Sequence, residues 1–308
     1  MMIKKPKFWD FKKPNFLAYL LVPLSKVVSL FNTLRKGENL KFSGIKIICV
    51  GNIYIGGTGK TPLSIKICNL LNKRNFKATI VKKFYKDQKD ERLLISNKTN
   101  LISKNDRKKC IENAINESFR YAIFDDGLQD KSINYDIKIC CFSSNNWIGN
   151  GQVIPAGPLR EKITSLKNFD IIILNGPDIN NSYIKEEILK VNNNIEIFEG
   201  KYKPQNLNKL DRSQNYIAFS GIGNPESFNL TLKENNFKIL KYFTFPDHYN
   251  YKNNEINNIK RFALKNNSKI ITTEKDFLRI NKELRSNINY IEMDLIISNE
   301  NKLLELIT

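Results

Sequence analysis

Val50-Gly51-Asn52-Ile53-Tyr54-Ile55-Gly56-Gly57-Thr58-Gly59-Lys60-Thr61-Pro62 decides how this chain is read. The run before it, Ile45-Lys46-Ile47-Ile48-Cys49-Val50, is short and apolar and predicts a buried strand. Pro62 suits the first turn of a helix, so a helix is predicted from there. Strand, glycine loop, Lys-Thr and helix form the layout of a phosphate-binding loop. Gly56, Gly57, Thr58 and Gly59 let backbone N–H groups curl around phosphate oxygens, and the helix N-terminus adds its positive dipole end. Lys60 then reaches the terminal phosphates and the Thr61 hydroxyl faces a Mg2+ ion. The usual pattern has a glycine five residues before the last one, and here that position is Tyr54. A glycine-rich turn with a surface lysine would leave the flanking strand and helix unexplained.

Such a loop calls for an acid at the end of a second strand, next to its threonine. Tyr121-Ala122-Ile123-Phe124-Asp125-Asp126-Gly127-Leu128-Gln129 has that form, with four mostly apolar residues leading into two carboxylates and a glycine. Asp125 and Asp126, with Gln129 nearby, are the candidate Mg2+ ligands besides Thr61. Without the upstream loop, the same stretch would read as a strand closed by an Asp-Gly turn.

The 308 residues suffice for one large or two ordinary domains, and 41% are hydrophobic, enough for real cores. Lys and Arg total 50 against 31 Asp and Glu, a net +19 that points to an anionic partner. Lys, Asn and Ile are abundant throughout, so the charge alone carries little weight. Five cysteines, with no C-x-x-C spacing and mostly in apolar runs, fit reduced buried thiols in a cytosolic setting.

The N-terminus is basic and aromatic: Lys4, Lys5, Lys7, Lys12 and Lys13 surround Phe8, Trp9 and Phe11. An apolar stretch follows from Phe16 to about Leu34. It has no small-residue cleavage site, and Pro23, Ser25, Lys26, Ser29 and Asn32 interrupt it as a spanning helix. Leu17, Leu20, Leu21, Leu24, Val27, Val28, Phe31 and Leu34 recur at helical spacing, with Ser25, Lys26, Ser29, Asn32 and Thr33 mostly elsewhere. The pattern predicts an amphipathic helix lying on an anionic membrane surface; packing against the protein's own core is the alternative.

Further strands are predicted at Ala78–Val81, Ile137–Phe142, Ile171–Leu174 and Ile195–Phe198, alternating with helical segments. After a polar linker, Lys203 to Gln214, come strands at Tyr216–Phe219, Lys238–Phe243, Lys269–Thr272 and Tyr290–Ile297. Asn224 and Pro225 read as the cap and first residue of a helix. The expected fold is α/β: a P-loop NTPase-type parallel sheet domain over 41–205, a smaller α/β domain over 206–308, and the N-terminal helix over 1–40. Two loops carry candidate site residues. Gly149 to Glu161 has three glycines and two prolines and ends in Arg160-Glu161, where an arginine can stabilise a transferring phosphoryl group. His248, the only histidine, lies where a strand gives way to a loop.

Taken in order, these motifs resemble the tetraacyldisaccharide 4'-kinases, the lipid A 4'-kinases of Gram-negative bacteria. The matching pieces are Gly51-Asn52-Ile53 through Pro62, Asp125 to Gln129, Gly149 to Glu161, Gly221-Ile222-Gly223-Asn224-Pro225, Phe245-Pro246-Asp247-His248 and Thr273-Glu274-Lys275-Asp276. They span most of the chain, and the family also lacks the first loop glycine. The resemblance implies transfer of phosphate from ATP to the 4'-hydroxyl of a tetraacylated glucosamine disaccharide 1-phosphate, on the cytoplasmic face of the inner membrane, with no nucleic acid and no obligate protein partner. It implies a catalytic Asp assisted by a His. The His corresponds to His248, and the Asp, from a Gly-Asp-Glu-Pro motif, to Asp90 in Lys89-Asp90-Glu91-Arg92. The chain departs from the family where Ser-Arg-Gly-Tyr becomes Lys82-Lys83-Phe84-Tyr85, where the stretch from there to Asp90 is shortened, and where a His becomes Asp130. The implied assignment is Lys60, Arg160, Glu161, Asp90 and His248 as catalytic residues. The competing reading is a membrane-associated P-loop ATPase or GTPase switch, which usually carries a lysine where Ile55 stands. A basic nucleic-acid-binding protein is a third, with no recognised motif behind it.

Overall fold

The computed structural model describes residues 5–34, 37–85, 88–128, 130–177 and 180–308. They form helices α1 (Phe16–Leu34), α2 (Lys60–Lys73), α3 (Lys89–Lys98), α4 (Arg107–Asn116), α5 (Asn181–Val191), α6 (Pro225–Glu234), α7 (Asn253–Lys265), α8 (Glu274–Arg279) and α9 (Glu300–Ile307). The strands are β1 (Lys46–Gly51), β2 (Ala78–Lys83), β3 (Leu101–Lys104), β4 (Tyr121–Asp125), β5 (Ile137–Ser143), β6 (Ile171–Asn175), β7 (Glu196–Pro204), β8 (Asn215–Ser220), β9 (Lys238–Thr244), β10 (Lys269–Thr273), β11 (Ile288–Ile291) and β12 (Met293–Ile297). They divide into two compact units.

The first unit comprises 1–84, 99–202 and 295–308. Its sheet has the order β12-β7-β6-β5-β1-β4-β2-β3, and the strands from β7 to β3 run parallel. The central strands are buried apolar runs, as a sheet covered on both faces requires. On one face, Ile47, Cys49 and Phe124 pack with Cys110, Ile111 and Ala114 of α4. Elsewhere Phe142, Ile172 and Leu174 pack with Ile184 and Ile188 of α5. Register places the site: Val50 stands opposite Asp125, so the glycine loop after β1 and the acidic end of β4 emerge level.

The second unit comprises 85–98 and 203–294. Its four parallel strands run β11-β10-β8-β9. Alternate residues of β8 feed two cores. Ile217 and Phe219 meet Ile256, Ile259 and Ala263 of α7, while Tyr216 and Ala218 meet Phe228 and Leu232 of α6. Asn224 caps α6 by accepting from the Ser227 amide, and Pro225 opens it, as the dipeptide predicts.

Two expectations differ from what forms. The units are not consecutive segments, because 85–98 belongs to the second and 295–308 returns to the first. The apolar stretch Tyr290–Ile297 breaks at Glu292 into β11 and β12, which belong to different sheets. Helix α1 forms over Phe16–Leu34, and it carries its apolar repeat on the outside, where packing on the protein's own core would have buried it. Ser25 is 5% exposed, whereas Leu20, Leu24, Val27, Leu30 and Phe31 are all exposed. Ser25 Oγ donates to the Val153 carbonyl at 2.7 Å and accepts from the Ala156 amide at 3.1 Å. Asn32 Nδ2 donates to the Arg160 carbonyl at 3.3 Å. Ser25 and Asn32 are the anchors, and most of the large apolar side chains face outward. Among the described residues no helix is long and apolar enough to cross a membrane.

Candidate active site

In the first unit the loop between β1 and α2 has its glycines where the backbone needs them. Gly59 has φ +91, and a Cβ there would lie 2.6 Å from Asn175 Nδ2. Thr58 is pinned from two strand ends: Asn52 Nδ2 donates to its hydroxyl at 2.9 Å and Asn175 Nδ2 to its carbonyl at 2.7 Å. Both asparagines are buried. Helix α2 starts at Lys60, two residues before the predicted Pro62, and no side chain caps it. Its first amides are therefore available to an anion. Tyr54, in place of the usual glycine, is 2% exposed and packs with Val153 and Leu159. Its hydroxyl bonds to Lys5 and Asp10. A bulky residue is tolerated because it points into the protein.

Asp125 is the acid behind the loop. It accepts from the Thr61 hydroxyl at 2.9 Å, from the Ser64 hydroxyl at 3.3 Å and from Lys82 Nζ at 2.6 Å. Asp125 and Lys82 are both buried. Lys82 was not among the residues the sequence singled out as catalytic or metal-binding. Sheet register brings it there, since Val81 pairs with Phe124 and the next residues face each other. Asp126 has left-handed backbone, φ +60, and a more open carboxylate. Lys60 Nζ lies 3.7 Å and Arg160 NH1 3.5 Å from its Oδ1. Thr61, Asp125 and Asp126 make an oxygen donor set; among the described residues no group of three or more His, Cys, Asp or Glu could hold a metal. That suits Mg2+, which takes one or two carboxylates and otherwise keeps water and phosphate oxygens. Gln129 lies outside the described residues.

The Gly149–Glu161 loop is a strap that delivers Arg160. Its backbone receives Trp9 Nε1 at the Pro155 carbonyl, and the Pro158 carbonyl accepts from Ile55 N. Arg160 N donates to the Ile53 carbonyl at 2.7 Å. The Arg160 guanidinium turns to Asp126, and among the described residues no ion pair joins it to Glu161. A cavity of about 470 Å3 opens beside Arg160, Glu161, Asn52 and Asp130, within the size range of small-ligand sites. Burial pushes Asp130 up, but the Ser132 hydroxyl and the Arg107 guanidinium outweigh it and hold the carboxyl below the usual range.

In the second unit α3 presents Asp90 beside α8. Asp90 Oδ2 accepts from Arg279 Nε at 2.8 Å, with Lys275 Nζ 3.9 Å and His248 Nδ1 3.8 Å away. Asp90 and His248 are thus neighbours without a direct hydrogen bond. Arg279 NH2 reaches His248 Nδ1 at 3.3 Å. His248 has φ +57, a left-handed conformation uncommon for a non-glycine residue. Burial, then Lys275 and Arg279, depress its pKa below the ordinary value; Asp247 and Asp90 oppose them without prevailing. That direction favours the neutral imidazole near pH 7.

The sequence model of one family, described as tetraacyldisaccharide-1-P 4'-kinase, matches residues 17–308. The chain belongs to the tetraacyldisaccharide 4'-kinase family. A Pelagibacter ubique protein called tetraacyldisaccharide 4'-kinase is 48% identical over 310 residues, 99% of each chain. A Rickettsia canadensis protein of the same name is 34% identical, covering 97% of this chain and 95% of its own. Among solved structures, LpxK from Aquifex aeolicus in complex with ATP superposes with a TM-score of 0.72 at 23% identity, over 95% of this chain and 98% of that one, and the fold is shared.

Proposed function

We infer that this chain is an ATP-dependent lipid kinase that phosphorylates the 4'-hydroxyl of a tetraacylated glucosamine disaccharide 1-phosphate. The observation that carries this is a phosphate loop whose Thr61 is joined to the acid at the end of β4, in a chain 48% identical to a kinase of that name along its whole length. The loop amides and Lys60 hold the ATP phosphates. Thr61 and Asp126 are the side chains that would hold Mg2+, with Asp125 behind the threonine, since Asp125 already accepts three donors. The ion, when bound, neutralises phosphate charge as the leaving group departs. Arg160 stabilises the equatorial oxygens of the transferring group. Asp90 Oδ2 is occupied by Arg279, and no hydrogen bond reaches Oδ1 among the described residues, so Oδ1 is the atom assigned to take the hydroxyl proton. His248 stands at its side as a neutral group.

The same reading puts the enzyme on the cytoplasmic face of the inner membrane as a peripheral protein, and the exposed apolar side of α1 supports it. Phe16, Leu17, Leu20, Leu24, Leu30, Phe31 and Leu34 are each at least half exposed. A large apolar side chain gains roughly 1.5–3 kcal/mol on full burial. Half-burying these seven contributes several kcal/mol, and exposed Lys7, Lys12 and Lys13 add about 1 kcal/mol each near anionic headgroups. That sum exceeds the hold of a single acyl anchor.

Incubation with radiolabelled ATP and the disaccharide 1-phosphate in anionic detergent–lipid mixtures tests the reading. Label in the lipid is expected. Acceptor-independent hydrolysis without transfer would favour a nucleotide switch. Asp90→Ala should lower kcat roughly 10²–10⁴-fold, and a change below about threefold removes Asp90 as the base. Lys60→Ala should be at least as damaging.

A further inference from the structure

The Thr273-Glu274-Lys275-Asp276 motif has no role in the scheme above, yet it builds a buried polar cluster in the second unit. Thr273 caps α8, accepting from the Asp276 amide at 3.1 Å and donating its hydroxyl to Asp276 Oδ2 at 2.7 Å. Asp276 is fully buried, and its Oδ1 accepts from Tyr251 at 3.0 Å and from Arg279 NH1 at 2.9 Å. Arg279 is the hub. Its side chain is 4% exposed and donates to Asp276, to Asp90 Oδ2 and to the Gly221 carbonyl, so four acceptors surround it once His248 Nδ1 is counted. A guanidinium cannot accept, so the nitrogen it faces must. That leaves the imidazole proton on Nε2.

We propose that Arg279, oriented by the Thr273–Asp276 turn, is the positioning residue of the Asp90–His248 pair: one guanidinium fixes Asp90 through Oδ2 and sets His248 as the Nε2–H tautomer. The reading rests on the Asp90–His248 pair assigned above, and it adds what aligns the two. Asp90 and His248 lie 158 positions apart in the chain, and neither touches the other by a hydrogen bond. The planar fork of an arginine supplies two directions at once, which a lysine at this position cannot. Asp247, Lys275, Arg279 and Asp90 are the charged groups that face the imidazole from its own loop, from α8 and from α3.

His248 is the only histidine, so the full-length protein labelled with 15N-histidine gives one imidazole signal pair. Long-range 1H–15N spectra of the wild type at pH 7.5 should show a neutral ring with Nε2 protonated. In Arg279→Lys, which keeps the charge and loses the fork, the ring should become a tautomer mixture. Its kcat should fall between about 10- and 100-fold, with KM for ATP within about twofold, because the phosphate loop is untouched. Asp276→Asn, which weakens the anchor alone, should move both readouts the same way by less, and it serves if Arg279→Lys does not fold. A wild-type ring protonated at Nδ1, or a tautomer unchanged in both folded variants, overturns the proposal. A shifted tautomer with unchanged kcat would instead keep the placement of the ring and remove the Asp90–His248 pair from the chemistry.

Discussion

Lys82 is the residue whose place is least expected from its type. A lysine ammonium with its side chain 5% exposed sits 2.6 Å from a fully buried Asp125 oxygen, at the foot of the phosphate loop. Two buried charges are tolerated only when each satisfies the other. Lys82→Met should therefore cost about 3–5 kcal/mol in urea unfolding, because it leaves Asp125 with only two hydroxyl donors. Lys82→Met combined with Asp125→Asn should recover part of that loss, a double-mutant cycle that isolates the pair. Full additivity would mean that no ionic coupling exists. The sequence marks Lys82 only as a departure from a family pattern. Strand periodicity says that it points to one face, but not that β4 is the neighbour, since pairing between segments some forty residues apart leaves no local trace. Asn175 went unread for the same reason: it closes on Thr58 from the end of β6, and only the sheet order brings it there. Residues inside local motifs, such as Lys60 and Thr61, were legible because strand, loop and helix are consecutive.

At the scale of elements, α1 inverts the usual logic of a surface helix. Its apolar repeat was legible, and its length was nearly right; what the repeat could not tell is which side faces the protein. Ser25 and Asn32 decide that, because they bond to the strap backbone, above all by supplying the acceptor for the buried Ala156 amide. Helix α1 thus makes two separable predictions. Leu20→Glu with Phe31→Glu should abolish sedimentation with anionic vesicles while leaving the thermal midpoint within about a degree or two, since exposed substitutions usually cost under about 0.5 kcal/mol. Ser25→Val should instead lower stability by roughly 1–3 kcal/mol, by orphaning the Ala156 amide and leaving the Val153 carbonyl with the Gly157 amide alone. Equal vesicle binding by the Leu20→Glu, Phe31→Glu variant would show that α1 is not the docking face. Helix α3 and strand β3 were not read at all. Lys89–Lys98 is short and weakly patterned, and it is held by contacts with α8, almost two hundred residues later in the chain.

For the whole molecule, the division of the chain is the property that a linear reading could least supply. Composition shifts mark a boundary near residue 205, and the second unit does begin close by, at 203. The linear reading then assigns everything after it to one domain. The final fourteen residues instead complete the first unit. Leu295, Ile297, Leu303, Leu304 and Ile307 are buried, strand β12 pairs beside β7, and α9 is tied down by Glu300 to Lys66 at 2.7 Å and by the Thr308 carbonyl accepting from Lys46 at 3.1 Å. At roughly 1.5–3 kcal/mol for each large apolar side chain removed from water, those five residues amount to about 7–15 kcal/mol as an upper estimate. A whole domain is stable by only about 5–15 kcal/mol. Truncation after Asp294 should therefore unfold the phosphate-loop unit, although the loop lies more than two hundred residues upstream. The expected result is loss of binding of a fluorescent ATP analogue together with loss of the cooperative thermal transition of that unit. If two consecutive domains were the true partition, the same truncation would damage the second unit and leave nucleotide binding at its full-length affinity.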